Sequence, residues 1–369
     1  STGGFIGIRT HFVLKGSAFR SEDGTLTNGY NYALWLFRWT FAVTASTIVS
    51  GAVAERFHFL PFISFSVLLT SFIYPVVAHW AWSGGWASTS VEEGELLFGC
   101  GLLDFAGSGV VHAVGGLAAL CACLVVGPRV GRFNSDGTFN TLPQQSAVLQ
   151  TLGVLIMWFG WQGFNGVSTY TLSGGGSGVA AKAMVTTTIS AGSGAITNIV
   201  LKKKNMGYWD SGAATSGVLA GLVGISAGCS TVEPEGAMII GILASVIYSR
   251  SSSLLLKLKI DDVVDAVPIH LCCGLWGIIA ASLFATKDNY AAVYGGDRAG
   301  SCAGVFYGGN GSTLGAGVVF ILASMAWTFA TSMLFFVPTK LTAGVRASRE
   351  GEEAGMDAVD HGGLTYPEL

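Results

Sequence analysis

Nine apolar stretches of about 20 residues divide this chain, and they constrain its fold more than any other feature. A helix of that length spans the roughly 30 Å hydrocarbon core of a bilayer, where every backbone polar group must be bonded internally. The stretches lie at 31–54, 57–80, 104–127, 145–166, 178–201, 211–230, 235–256, 266–286 and 313–338. The sequence therefore predicts an all-α, polytopic integral membrane protein.

Charged side chains are scarce, which argues against a soluble globular domain. They make up 11% of the 369 residues, whereas an average soluble domain has roughly 25%. The 53 glycines fit closely packed transmembrane helices, because small residues let two backbones approach each other. Net charge is −3 and the lysines at 202–204 form the one basic block, so we predict no nucleic-acid partner. The sequence has no phosphate-binding loop, nucleophile motif or metal-ligand cluster, and we expect neither an enzyme nor a cofactor or metal.

The distribution of Lys and Arg predicts the orientation. The loops on one side of the predicted helices, together with the end of the chain, hold twelve of these residues, and the other side holds five. Positive residues collect on the cytoplasmic side of membrane proteins. We therefore expect residues 1–30 to form an extracellular loop, residues 31–338 the transmembrane domain and residues 339–369 a cytoplasmic tail.

Most of the seven cysteines lie inside apolar stretches, where they are interpreted as small packing residues. Cys100 and Cys302 fall in loops instead. A disulfide between them in an oxidising compartment is the alternative, but we expect two free thiols.

We single out five ionisable side chains within the apolar stretches, and each is a functional hypothesis because a charge inside a bilayer is costly. They are Arg38, Asp104, His112, Lys182 and His270. Both histidines lie in the middle of their stretches, where burial favours the neutral imidazole. A neutral ring donates one hydrogen bond and accepts one, so two facing rings could bond each other and still offer partners to a small neutral solute. The alternative is that each histidine bonds a neighbouring helix.

The sequences after the two histidines resemble each other. Glycine follows at the fourth position and leucine at the fifth after both His112 and His270. The two stretches are predicted to cross the membrane in opposite directions, as inverted repeats do. Chance is the alternative in a chain this rich in Gly and Leu, but the topology favours a symmetric pair.

Asp104 and a group of aromatic residues are candidates for the outer mouth of a pore. Asp104 begins its predicted helix, where it can accept backbone N–H groups as a cap and is held ionised by the helix dipole. Its charge would lower the cost of bringing a cation to the mouth; the alternative is a purely structural cap. Most of the aromatic residues belong to an interfacial belt, and a subset could surround a small cation. The whole aromatic group comprises Trp80, Trp82, Trp86, Trp158, Phe159, Trp161 and Phe164.

Six strings of sequence carry a resemblance to a known family. They are Ala-Glu-Arg at 54–56, His-Trp-Ala-Trp-Ser-Gly-Gly at 79–85, Asp-Phe-Ala-Gly-Ser-Gly-Val-Val-His at 104–112, Trp-Phe-Gly-Trp-Gln-Gly-Phe-Asn at 158–165, Asp-Asp-Val-Val-Asp at 261–265 and Gly-Met-Asp-Ala-Val-Asp-His-Gly-Gly at 355–363. In this order they resemble the ammonium transporter family (Amt/Mep/Rh), above all its plant and algal branch, over essentially the whole chain. The string at 104–112 is highly specific.

The resemblance implies a fold of eleven helices, built as two inverted five-helix repeats and a final helix. It further implies a homotrimer with one pore per subunit, in the plasma membrane. Because the chain would begin after the second helix, we expect it to be a fragment with about nine of these helices.

The resemblance also implies which residues form the pore. They are Trp82 and Ser168 as an outer cation site, Phe41 as its floor, Phe41 and Phe164 as stacked rings that close the pore, Trp161 as a lining residue, His112 and His270 as twin histidines, and Asp104 as the acidic residue beneath the site. Ammonium, with methylammonium as its analogue, would be recruited at the outer site. Ammonia would pass the imidazoles, with its proton left behind or relayed.

Two alternatives remain within this resemblance. One is a channel of the Rh type for neutral ammonia or carbon dioxide, against which Trp82 and Ser168 argue. The other is an ammonium sensor that signals through its tail, or a transporter with a cytoplasmic regulator at the tail. Arg38 departs from the family pattern, in which many members have Gln, and its charge is expected to oppose cation recruitment.

Overall fold

The computed structural model describes residue 5, residues 29–360 and residues 362–363, so the predicted loop 1–30 lies almost entirely outside it. In the described residues the chain is helical, without a regular strand. The α-helices are α1 (Gly29–Val53), α2 (Phe59–Leu68), α3 (Tyr74–Trp82), α4 (Val114–Val126), α5 (Ala147–Gly166), α6 (Gly176–Met206), α7 (Ser211–Ile225), α8 (Pro234–Lys257), α9 (Cys273–Phe284), α10 (Lys287–Tyr294), α11 (Ala299–Cys302), α12 (Ser312–Thr342), α13 (Arg349–Ala354) and α14 (Met356–Asp360).

Eight helical segments of the described chain are long and apolar enough to cross a membrane. They are Asn31–Val53, Phe59–Trp82, Ser108–Val126, Ala147–Thr169, Gly176–Met206, Pro234–Lys257, Val267–Phe284 and Ser312–Thr342. The prediction of an all-α polytopic membrane protein is therefore confirmed. Helix α12 continues past the predicted limit at 338.

The remaining predicted stretch, 211–230, was too long. Helix α7 ends at Ile225, because the next backbone groups bond to the loop around Asp104 instead of continuing the helix. The carbonyl oxygens of Ser226 and Ala227 accept hydrogen bonds from the amides of residues 106 and 105, both at 3.0 Å. The hydroxyl of Ser108 accepts the amide of Ala227 at 2.7 Å.

Three π-helical turns widen the membrane segments, at Leu69–Ile73, Ser108–Ala113 and Val267–Cys272. Isolated π-turns of this kind often occur at functional sites. Two of them contain the candidate histidines, His112 and His270. The helix predicted to begin at Asp104 begins at Ser108 instead, and Asp104 lies in the preceding loop.

Glycine allows the close approach of α6, α7 and α8. A Cβ atom at either Gly221 or Gly241 would lie 2.2 Å from the carbonyl oxygen of Ser190. Helices in lipid associate mainly through van der Waals packing, and small residues make this close packing possible.

One fully buried arginine joins the loops at the end of the molecule where α1 ends. Arg56 donates to the carbonyl oxygens of Gly127 at 2.7 Å and Asp261 at 2.5 Å. The amide of Ala347, in the tail, donates to the carbonyl oxygen of Arg56 at 3.1 Å. Glu352 holds the tail further by accepting the amide of Val130 at 2.6 Å. The tail is thus bonded to the loops after α1 and α4, and Arg56 links the first of these to the loop that leads into the second histidine segment.

The expectation of two free loop cysteines is wrong. Cys100 and Cys302 form a disulfide, with their Cα atoms 5.5 Å apart. The bond joins the loop that leads to Asp104 to α11, across a sequence separation of 202 residues. Both residues are buried in a cluster with Leu103 and Tyr290, so tertiary packing brings them together.

Candidate functional site

Four aromatic rings form a compact group where α1, α3 and α5 meet. Phe41 and Phe164 are stacked, with centroids 3.9 Å apart and an interplanar angle of 11°. The Trp82 ring meets the Phe41 ring edge-on, with centroids 5.9 Å apart. The centroid of the Phe37 ring lies 4.7 Å from that of Phe41. Ser168 joins the group because its hydroxyl donates to the carbonyl oxygen of Phe164 at 2.8 Å. The stacked pair leaves no room between its rings for a hydrated ion.

Asp104 is buried beside this group and fully bonded. Its Oδ1 accepts the amide of Gly107 at 3.0 Å, and its Oδ2 accepts the amides of Gly109 and Val110 at 3.0 and 2.9 Å. Its carbonyl oxygen accepts Trp82 Nε1–H at 2.7 Å. The predicted cap is therefore present, and Asp104 fixes both the π-turn and the Trp82 ring.

The two histidines face each other within the helices. Their Nδ1 atoms lie 3.2 Å apart, and their rings are close to parallel at 5.2 Å. His112 also stacks on Trp161 at 5.0 Å and lies 5.5 Å from Phe164. If both rings are neutral, one Nδ1 donates to the other, and the pair keeps one donor and one acceptor at its outer ends. His112 Nε2 is buried without a partner among the described residues, so it can bond a small solute.

The shared sequence pattern after the histidines has a packing reason. A Cβ atom at Gly116 would lie 2.3 Å from the amide nitrogen of Leu271, next to His270. A Cβ atom at Gly274 would lie 2.4 Å from the carbonyl oxygen of Ser108, in the turn that holds His112. Each glycine therefore allows its own helix to approach the other histidine segment. This reciprocal contact is what an inverted repeat requires.

A cavity of about 1170 Å³ passes along this region. Its walls are mainly α1, α5 and the segment around 263–270, and it extends from Phe37 past both histidines to Asp265. Phe41, Phe164 and Trp161 line it as well, whereas Trp82, Asp104 and Ser168 do not. The structure thus brings all eight predicted residues into one region, five of them on the cavity wall.

Two carboxylates lie near the other end of this cavity: Asp265, which is half-buried and lines it, and Asp262, which is buried and does not. Asp262 Oδ2 accepts the amide of Val267 at 2.6 Å, while its Oδ1 has no partner in the described part of the chain. Asp265 accepts the hydroxyls of Tyr248 at 2.8 Å and Ser252 at 3.0 Å. Burial, and secondarily the nearby Asp265, raises the pKa of Asp262 to about 7.

Sequence reasoning missed three contributors to the site. Phe37 and Tyr170 extend the aromatic group outward, and Asp262 caps the π-turn that contains His270. The repeated spacing Asp-x7-His at Asp104 and Asp262 was a readable signal for the last of these. No sequence pattern pointed to Tyr170.

Comparison with known proteins gives a consistent result. The model of a family described as "Ammonium Transporter Family" matches residues 2–366. "Ammonium transporter 1 member 2" of Oryza sativa subsp. japonica is 43% identical over 349 residues, which cover 92% of this chain and 70% of the relative. "Ammonium transporter 1 member 1" of Arabidopsis thaliana is 41% identical over 374 residues, which cover 98% of this chain and 72% of that relative.

Solved structures agree in fold. A protein titled "Sensor Amt Protein" has a TM-score of 0.78 at 31% identity, covering 89% of this chain and 77% of its own. Candida albicans Mep2 has a TM-score of 0.76 at 26% identity, covering 89% and 68%. The chain thus spans about 70% of the length of the plant relatives named above.

Proposed function

This chain belongs to the Ammonium Transporter Family, and from that premise we propose that it recruits ammonium at an aromatic outer site and conducts ammonia past a pair of histidines. Ammonium transport itself follows from the family and from the names of its relatives, which are transporters and not enzymes. The pore mechanism is our proposal. The observation that carries it is the 3.2 Å contact between the two histidines directly behind a stacked aromatic pair.

Recruitment depends on the aromatic group. The faces of Trp82 and Phe41 attract a small cation by about 0.5–2 kcal/mol. Asp104 adjoins this site, since its carbonyl oxygen accepts Trp82 Nε1–H, and its negative charge lowers the cost of a cation there. Ser168 supplies a hydroxyl oxygen that can accept a hydrogen bond from ammonium, which potassium cannot donate.

Conduction requires the cation to lose its charge. Behind the rings of Phe41 and Phe164, an ion would lose its water without finding a countercharge, which is prohibitively costly. Neutral ammonia avoids that cost, and the unpartnered His112 Nε2 can bond it. The proton is either left outside or relayed through the imidazoles, since the Nδ1–Nδ1 contact gives it a continuous path between both rings.

The setting of the pore is part of the same proposal. Residues 31–338 form the transporter domain, and the tail at 339–369 lies in the cytoplasm with residues 1–30 on the opposite side. The tail's bonds to Arg56 and Val130 make it a suitable place for a cytoplasmic regulator. We further propose a homotrimer in the plasma membrane.

The test is a recording of ammonium-evoked current, beside uptake of labelled methylammonium, in membranes that hold the full-length gene product. Asp104→Ala should abolish both. Asp210→Ala is a matched control, because Asp210 also caps a backbone amide, that of Gly212 at 2.8 Å. It lies at the start of α7, the end of that helix remote from Asp104, and does not itself line the cavity. Uptake without current would mean that the proton is left outside, and would exclude its relay through the imidazoles. The absence of both current and uptake in the wild-type protein would reject the proposal.

A further inference from the structure

Arg38 is one of the five ionisable residues singled out in the apolar stretches, and the pore mechanism gives it no role. Asp104 is bonded by three amides, Lys182 forms an ion pair with Glu233 at 2.9 Å, and the histidines bond each other. The guanidinium of Arg38 has no carboxylate at ion-pairing distance among the described residues. Instead it lies over the ring of Tyr170, 5.8 Å from its centroid.

The Arg38–Tyr170 pair is continuous with the aromatic group. The Tyr170 ring meets Phe37 edge-on at 5.7 Å, and Phe37 contacts Phe41 at 4.7 Å. Tyr170 follows the turn that contains Ser168 and has a left-handed backbone, with φ of 59°. This conformation is unfavourable for a tyrosine, and the ring contacts with Phe37 and Arg38 help to hold it.

We propose that Arg38 is a tethered cation that sets the affinity of the outer site. Its guanidinium already occupies an aromatic face beside that site, and unlike ammonium it cannot lose its proton. It raises the free energy of any second cation nearby through like-charge repulsion. This inference rests on the proposed recruitment of substrate as a cation.

The repulsion acts on charge and not on chemical identity. Removing it should therefore change the half-saturation for ammonium and methylammonium by the same factor, and leave discrimination against potassium unchanged. Repulsion from an exposed guanidinium is also screened by salt, whereas attraction by the buried Asp104 is screened much less. Salt dependence thus separates the effect of Arg38 from that of Asp104.

The experiment measures half-saturation for ammonium in the full-length protein at two ionic strengths, set with an impermeant organic salt. The Debye length falls from about 30 Å at 0.01 M to about 8 Å at 0.15 M. In the wild-type protein, half-saturation should fall as ionic strength rises. Arg38→Gln should lower it by roughly two- to tenfold at low ionic strength and make it independent of salt. Arg38→Lys should retain the wild-type salt dependence.

Lys287→Gln is the control, because Lys287 is an exposed cation of α10 that contacts none of the rings above. It should leave half-saturation unchanged. Transport that is insensitive to salt in the wild-type protein would overturn the role of Arg38, and this measurement needs no variant. An equal salt dependence in the wild-type and Arg38→Gln proteins would overturn it too. Absence of ammonium transport in the wild-type protein would instead reject the proposed function.

Discussion

Asp262 occupies in the second half of the chain the place that Asp104 occupies in the first. Each lies eight residues before one of the paired histidines, and the Oδ2 of each accepts the amide five residues further on. The two differ in their remaining bonds. Asp104 accepts two further amides, whereas the second oxygen of Asp262 has no partner among the described residues.

The burial of Asp262 predicts a pH-dependent stability. The pKa of Asp262 is about 7 in the folded protein and about 4 in an unfolded chain. Between these values the folded state holds a proton that the unfolded state releases, so stability falls as pH rises from about 4 to 7. Asp262→Asn removes this loss and keeps an oxygen for the Val267 amide. We expect the free energy of unfolding of this variant to exceed that of the wild type by up to a few kcal/mol at pH 7, and the difference to stay constant at higher pH.

Thermal unfolding of the purified full-length protein in detergent, at pH values from 5 to 8, measures this difference. Asp210→Asn is the control for losing a capping carboxylate. A stability difference between Asp262→Asn and wild type that is constant across this range would contradict the prediction.

The stacked rings predict a selective barrier. Phe164→Ala removes one ring of the 3.9 Å stack and lets water reach the histidines. We expect a potassium current in the absence of ammonium, which the wild-type protein should not carry. Phe159→Ala is a matched control on the same helix, because Phe159 is 82% exposed. An ammonium-selective Phe164→Ala protein would show that these rings are not the barrier.

The histidine pair should act as a unit. If conduction needs both imidazoles joined through their Nδ1 atoms, His112→Ala and His270→Ala each lose about as much transport as the double variant, roughly tenfold or more. Rates of methylammonium uptake, normalised to protein in the membrane, complete this cycle. Losses that multiply in the double variant would indicate two independent sites.

The disulfide should stabilise the loop that leads to Asp104. Replacing Cys100 and Cys302 together by Ser is expected to cost about 2–5 kcal/mol and to lower the unfolding temperature. Cys272→Ser, which removes a free and half-buried thiol, is the control. An unchanged unfolding temperature in the double variant would mean that the packing around Tyr290 suffices without the bond.

The sequence predicted what local pattern and chemistry decide. Apolar length identified the membrane helices, and the cost of burying charge singled out Asp104, His112 and His270. It did not predict features that depend on distant partners. Helix α7 ends early because Ser226 and Ala227 bond to a loop more than 100 residues away in sequence, and Cys100 meets Cys302 only in the folded chain. The contact between Arg38 and Tyr170 depends on a left-handed residue that no local signal marks.

The π-turns at Ser108–Ala113 and Val267–Cys272 determine the direction in which both imidazoles point, because they set the rotation of the helix at each histidine. Each wide turn contains a residue more than a regular turn would, and an α-helix rotates by roughly 100° per residue. Deleting a single residue, such as Val110 or Ile269, would let the turn relax to α-geometry and rotate the following helix relative to the preceding loop. Each ring would then face a different wall, although the histidine itself had not changed. The pore axis is thus encoded in the length of two backbone segments as much as in the identity of the histidines.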